Sequence, residues 1–426
     1  MKRSVLICCQ LWSWDAIGRG LTVYPTIAWD RSKHNKTTFE VGNTTIQPVP
    51  SKEIIVVGAG VIGLTTAFAL TQGGHTVTVF DPFPGRGASF VAAGLIAPMT
   101  EANPGEESLV ALSVEAARRW PDHAKEIESQ TPYHVGLNRS GTLLVALDAN
   151  DRVQIRSLLP LYKKLGLASE WHGSGPVRVK EPLLAPSVLG GLEAPDDIQV
   201  DNRQLLSALT DALRYAGVNI IQERVAGVLS SGSRVTGVAT TRQNFDAGTV
   251  VLCAGYDIAG IKGVPVHDEI IIRPVKGQIL RLYQRDTRLR LHYNVRALVA
   301  GSAVYLVPRA SGKVVIGATV EEQGVSYSAT AGAAYSLLRD AISVVPAIAE
   351  AEIEGFEVGL RPATRDNAPV IGPASLEGLV YALGGYRHGV LLSPLVADCV
   401  VELIETGTTP EIAWPFSPDR FRVHHG

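Results

Sequence analysis

Three glycines and an aspartate carry the first chemistry legible in this chain of 426 residues: Gly58, Gly60 and Gly63, within Gly58-Ala59-Gly60-Val61-Ile62-Gly63, and Asp81. An apolar run precedes the glycines and a second one ends at Asp81, a spacing that predicts strand, tight turn, helix and strand. Gly58 permits the sharp turn, Gly60 lets backbone amides approach a pyrophosphate, and Gly63 removes the side chain where helix meets strand. The helix N-terminus then offers N–H groups and a positive dipole end to phosphates. Asp81 falls where a carboxylate accepts hydrogen bonds from ribose hydroxyls. A glycine-rich turn in some other βαβ unit is the competing reading. Agreement of strand, helix and spaced acid favours dinucleotide binding.

The elements that hold this unit belong to a chain with 46% hydrophobic residues, enough for two or three domains with cores of their own. Lys plus Arg is 39 against Asp plus Glu 41, so no basic field points to nucleic acid or an anionic membrane surface. The cysteines Cys8, Cys9, Cys253 and Cys399 show no metal-ligand spacing and no disulfide framework, which fits a reducing cytoplasm. Cys253 stands in an apolar run and reads as a small buried hydrophobe, not a nucleophile. Residues 54–70 have the character of a short membrane span, but glycines in fingerprint spacing argue against one. Residues 1–50 differ from the rest. Residues 1–9 faintly imitate a signal peptide, Gln10 and Asp15 cut the run short, and 32–50 is polar without strand or helix period. They are expected to lie outside the fold, or to reflect a start codon assigned upstream.

Helical period marks 106–129, 150–165, 202–216, 329–344 and 390–405, and strand character marks 141–147, 218–222, 225–229, 235–241 and 248–253. Strands dominate 270–318, and 378–383 is a further one, followed by a glycine turn at 384–389. The pattern predicts nucleotide-binding pieces separated by antiparallel-sheet insertions. The expected division is 51–131, 192–266 and 356–426 for a discontinuous cofactor domain, with 132–191 and 267–355 for a substrate domain.

Four segments together resemble a known family: 58–64, Ala92-Ala93-Gly94-Leu95, 359–366 and 384–394. On these the chain is similar to the D-amino-acid oxidase superfamily, nearest to the FAD-dependent glycine oxidases of thiamine biosynthesis, from residue 53 to the C-terminal helix. The resemblance implies an α/β fold with an antiparallel sheet, in which a Rossmann-type FAD-binding domain is interleaved with a D-amino-acid-oxidase-like substrate domain. It implies noncovalent FAD, with no attachment motif in view, a small amino acid and dioxygen as reactants, and no membrane or nucleic-acid partner. A homo-oligomer stays open. The implied reaction removes a hydride from the α-carbon of glycine, sarcosine or D-alanine. The imino acid hydrolyses to a 2-oxo acid and ammonia, and dioxygen becomes hydrogen peroxide.

By the same resemblance, Ala93, Gly94 and Leu95 line the flavin, and Val225 brackets the adenine. Arg361 binds the substrate carboxylate, Tyr305 assists it, and Arg387 stands near flavin and substrate. Arg387, His388, Gly389, Val390 and Leu391 form the turn and helix start that meet the flavin. The chemistry suits these types. A planar guanidinium is the best partner for a carboxylate, and a turn feeding a helix aims N–H groups at the charge a reduced flavin carries. No catalytic base is required. Arg361 alone reads equally as a surface arginine at a strand end stopped by Pro362, Tyr305 as a sheet-face tyrosine, and Arg387 as half of an ion pair. His388 replaces an asparagine common in the family, and Asp81 a longer glutamate. Lys276 reads as a solvated strand lysine, with a cation assisting oxygen as the other option. Two functional alternatives remain: a D-amino-acid dehydrogenase or other amine oxidoreductase using another acceptor, and a non-catalytic flavin-binding subunit.

Overall fold

The computed structural model describes residues 40–41, 44–45, 51–268 and 270–422. The chain divides into two units, 1–49 and 50–426. In the first, Glu40–Val41 pairs antiparallel with Thr44–Thr45, where the sequence showed no strand period. The rest of the expected N-terminal extension lies outside the described residues.

In the second unit, the apolar run at 54–57 is buried and forms strand Glu53–Val57. Parallel neighbours flank it on both sides, Thr76–Phe80 and Thr249–Leu252, which explains why its side chains are apolar without alternation. Asn219–Ile221 and Leu379–Leu383 extend this parallel sheet, and Val370–Pro373 closes one edge antiparallel, giving six strands. Helix Val61–Gln72 follows the glycine turn. A Cβ on Gly63 would meet the Gly58 carbonyl, so helix and turn approach this closely only with glycine there. Helix Gly389–Thr406 shares the core of this helix through Leu391, Leu395 and Val396, and Glu107–Ser129 is tied to it by Trp120 Nε1–H donating to the Leu391 carbonyl at 3.0 Å.

An eight-stranded sheet forms the other layer. Its order is Glu352–Ala363, Arg273–Tyr283, Lys313–Gly317, Ser302–Pro308, Asn294–Val299, Thr142–Ala146, Gly190–Ala194 and Glu170–Gly173. All pairs are antiparallel except Asn294–Val299 with Thr142–Ala146, so the sheet is mixed. That parallel ladder joins the two expected insertions, which reach one another across the chain and need no hairpin. Helix Ala331–Val344 covers one face, burying Leu337, Ala341 and Val344 against Leu280, Leu306 and Ile316. A three-stranded antiparallel sheet, Val225–Ser231, Arg234–Thr240 and Asn244–Asp246, packs on the face of the six-stranded sheet opposite helix Val61–Gln72.

Four local expectations change. Glu352–Ala363 and Gly190–Ala194 are continuous strands of the eight-stranded sheet, so the divisions expected at 355/356 and 191/192 fall inside strands. Pro362 does not stop its strand. It pairs opposite Pro274, and Glu352–Ala363 is an edge strand, where a missing N–H costs no ladder bond. The helix expected at 150–165 breaks at Leu158 into Ala149–Ser157 and Leu159–Lys164, with a proline in the first turn of the second. Lys276 is not solvated. It is 1% exposed, with Nζ 3.3 Å from Glu321 Oε2, because it points away from the face that Gly277 presents.

Candidate active site

Between the two sheets lies a cavity of about 720 Å³. One end is built by the glycine turn. Gly58, Gly60, Val61 and Ile62 line it, with Asp81 and Val225 beside them. Gly58 has φ +104°, and a Cβ there would also run into the Cys253 backbone, so the turn requires glycine twice over. Asp81 is oriented by the backbone: Oδ2 accepts from Ala59 N–H and Oδ1 from Phe83 N–H, each at 2.7 Å. Each oxygen keeps a further lone pair for a ligand hydroxyl. Ser89 Oγ accepts from Val61 N–H at 3.0 Å and so caps the first helical residue, where Gly60 has no side chain to do so. Cys253 also lines the cavity, but burial pushes its thiol up to about 12, which leaves it an inert hydrophobe.

The opposite end is built by the eight-stranded sheet. Gly277 and Gly359 lie directly opposite one another on neighbouring strands, and both line the cavity. Arg361, two residues along from Gly359 and on the same face, lays its guanidinium over Gly277, in space that a Cβ at 277 would take. Its Nη1 donates to the Thr319 carbonyl at 3.0 Å. Tyr305 crosses Gly317 in the same way, and a Cβ at 317 would meet its ring. Burial raises the Tyr305 phenol, so it stays a hydrogen-bond donor at neutral pH.

Sequence reasoning missed the group that links this end to the C-terminal helix. Glu101 lines the cavity, in a stretch that reads as a polar loop. Its Oε1 lies 2.6 Å from Arg296 Nη1, and its Oε2 lies 3.4 Å from His388 Nδ1. Burial alone would raise its carboxyl, but Arg296, His388 and Arg387 outweigh that and hold it at about 2. Arg296 stands opposite Tyr305 on the next strand. Burial lowers the His388 imidazole against the pull of Glu101. The only local signal was an acid soon after the Ala92–Leu95 motif; its partners come from distant strands.

Of the expected cofactor residues, Ala93, Gly94, Leu95, Gly389 and Val390 line the cavity, as do the substrate candidates Arg361, Tyr305 and Arg387. Ala59, Gly63, His388 and Leu391 stand behind its wall. Leu391 is 1% exposed within the helical core, since its side chain falls on the inner face of the helix. Gly384 has φ +70° and Tyr386 φ +39°, and Tyr386 N–H donates to the Pro362 carbonyl at 3.0 Å, which ties the turn to the Arg361 strand. Arg387 lies 5.4 Å from the Tyr386 ring.

The cavity fits an extended dinucleotide. A phosphate-binding turn and an oriented carboxylate stand at one end, and strand glycines that admit the Arg361 and Tyr305 side chains shape the other. The charge set at that end, Arg361 and Arg387 with Glu101 already paired to Arg296, suits a small carboxylate. Among the described residues, no helix is long and apolar enough to cross a membrane.

The chain is 32% identical over 376 residues to the bifunctional protein ThiO/ThiG of Synechocystis, covering 87% of this chain and 54% of that protein. It thus spans about half the length of that relative. A glycine oxidase of Geobacillus kaustophilus is 30% identical over 371 residues, covering 86% of this chain and 97% of the oxidase. The crystal structure of glycine oxidase from that organism superposes with a TM-score of 0.80 at 29% identity, over 88% of this chain and 100% of the other. The DAO family, described as FAD dependent oxidoreductases, matches residues 53–403, and the chain belongs to it.

Proposed function

We propose that this enzyme is an amino-acid oxidase acting on glycine or a similarly small substrate such as sarcosine or D-alanine. One observation carries the reading: Arg361 and Tyr305 share a cavity with the dinucleotide turn, and glycines at 277 and 317 make room for both side chains. The names of the relatives, glycine oxidase and ThiO/ThiG, support the same substrate class, and with the sequence resemblance they favour a place in thiamine biosynthesis. The cysteine usage favours a cytoplasmic location; among the described residues Cys253 and Cys399 are free and buried.

In this reading the Gly58–Gly63 turn and the start of helix Val61–Gln72 hold the pyrophosphate of FAD, and Asp81 its ribose. Bound FAD supplies the acceptor for the α-hydride and the route to dioxygen. Arg361 takes the substrate carboxylate in its fork, already oriented by the Thr319 carbonyl, and the Tyr305 phenol donates a second hydrogen bond. The amine must be neutral when the hydride leaves, and no side chain is assigned as its base. Ionised Glu101 neutralises Arg296, while Arg361 and Arg387 line the same cavity and can face an anionic substrate. The balance is amino acid, dioxygen and water giving 2-oxo acid, ammonia (methylamine from sarcosine) and hydrogen peroxide.

The test is a peroxide assay on purified protein with glycine, sarcosine and D-alanine. One peroxide per amine oxidised supports an oxidase. Amine oxidation only in the presence of an artificial acceptor would place the activity with dehydrogenases.

A further inference from the structure

Six consecutive carbonyls, from Ser89 to Gly94, are all drawn to one side. Asn202 Nδ2 donates to the Ser89 and Phe90 carbonyls at 2.8 and 2.9 Å. Arg281 Nη2 reaches the Phe90, Val91 and Ala92 carbonyls at 3.1, 2.9 and 3.3 Å. Arg309 Nη2 donates to the Ala93 carbonyl at 2.6 Å, and Val200 N–H to the Gly94 carbonyl at 2.9 Å. A trans peptide points its N–H opposite to its carbonyl. The N–H groups of Ala93, Gly94 and Leu95 therefore turn the other way, and these are the three residues of the segment's end that line the cofactor cavity. Neither arginine lines that cavity; both are buried behind it, Arg281 at 7% and Arg309 at 9% exposure.

Two cations in one buried layer need a reason. Arg281 Nε is 2.8 Å from Glu357 Oε2, but Glu357 is shared with Arg203. The nearest acid to Arg309 is Asp201, at 3.8 Å. Burial, with Arg281 and Arg203 nearby, brings the Arg309 guanidinium down to about 10, still charged at neutral pH. A neutral donor such as asparagine, already used at 202, would satisfy a carbonyl without this charge.

We propose that Arg281 and Arg309 are positioning residues for the flavin, which fix the N–H face of Ala93–Leu95 toward the cofactor and keep positive charge behind it. Oriented donors and fixed charge on that side stabilise the negative charge that two-electron reduction brings. Neutralising either arginine therefore lowers the midpoint potential of bound FAD. The proposal rests on the FAD assignment and is independent of which amino acid is oxidised.

The test is a redox titration of the flavin-loaded protein against an indicator dye, with no substrate present, together with a fluorescence titration of FAD. Arg309→Met should lower the midpoint potential and weaken FAD binding about tenfold, as expected for the loss of charge-assisted hydrogen bonds. Arg309→Lys keeps the charge and loses the fork, so its potential should stay near that of the parent while FAD affinity falls. If Arg309→Met does not fold, Arg281→Gln serves instead, since it retains donors and leaves Glu357 paired with Arg203. A lowered potential in the neutral variant supports the proposal. A parental potential in either flavin-loaded neutral variant overturns it, whatever the FAD affinity, because a purely structural role would loosen FAD without moving the potential.

Discussion

Arg361 lies across Gly277 of the neighbouring strand, and its guanidinium occupies the space that any side chain at 277 would need. Strand pairing sets this relationship: Gly277 is opposite Gly359, and Arg361 is two residues further along. The missing side chain is thus part of the arginine's site.

Gly277→Ala should then act as an Arg361 variant without touching Arg361. The new methyl group meets the far end of a flexible side chain, so the guanidinium moves and the backbone stays. The specificity constant for glycine should fall at least about tenfold, since misplacing a positioning group by an ångström is costly. FAD content and thermal stability should change little. Steady-state kinetics with a flavin spectrum and a melting curve check all three.

Glu101 sets an acid limit on stability. Its carboxyl is held at about 2, against 4.5 ordinarily, so the unfolded chain takes up a proton that the folded one refuses. The contribution is complete above about pH 4.5 and is lost as pH falls toward 2. It amounts to about 3 kcal/mol. Glu101→Gln leaves Arg296 without its anion and should destabilise at pH 7 by about 3–5 kcal/mol. The variant's stability should also fall less steeply than the parent's between pH 5 and pH 3, as urea titrations at several pH values would show.

The dinucleotide end was legible because it is local: Gly58, Gly60, Gly63 and Asp81 act within one βαβ unit, and each has its reason in the adjoining sequence. The candidate substrate end was named only through family resemblance, which proposed Arg361, Tyr305 and Arg387, and these three line one cavity. Its supports were not. Gly277, Gly317 and Gly359 look like ordinary strand interruptions until strand register shows which side chain each makes room for. Lys276 looked solvated because its partner Glu321 is brought in by an isolated antiparallel bridge. Glu101 and Arg296 meet only when the loop after Ile96 folds onto the sheet.

Residues 1–50 should be dispensable for cofactor binding, since 50–426 forms its own unit and supplies the described residues that line the cavity. A chain beginning at Ser51 should fold and bind FAD with the affinity of the full chain. Acid precipitation of either form should release FAD into the supernatant, as expected for noncovalent binding. Flavin held in the pellet would point to a covalent link, and insoluble truncated protein would tie the first unit to the fold.

The central claim is that Arg361 clamps the carboxylate of an amino acid presented to FAD. The direct measurement is the specificity constant of Arg361→Ala, with flavin content confirmed, for glycine, sarcosine and D-alanine. Loss of a charge-assisted partner for a buried anion costs about 2–5 kcal/mol, a drop of roughly thirtyfold or more. Arg361→Lys should recover only part of it, because an ammonium cannot reproduce the planar fork. Amines without a carboxylate should be turned over poorly and alike by all three proteins. Unchanged specificity constants for all three amino acids in a flavin-loaded Arg361→Ala protein would contradict the account.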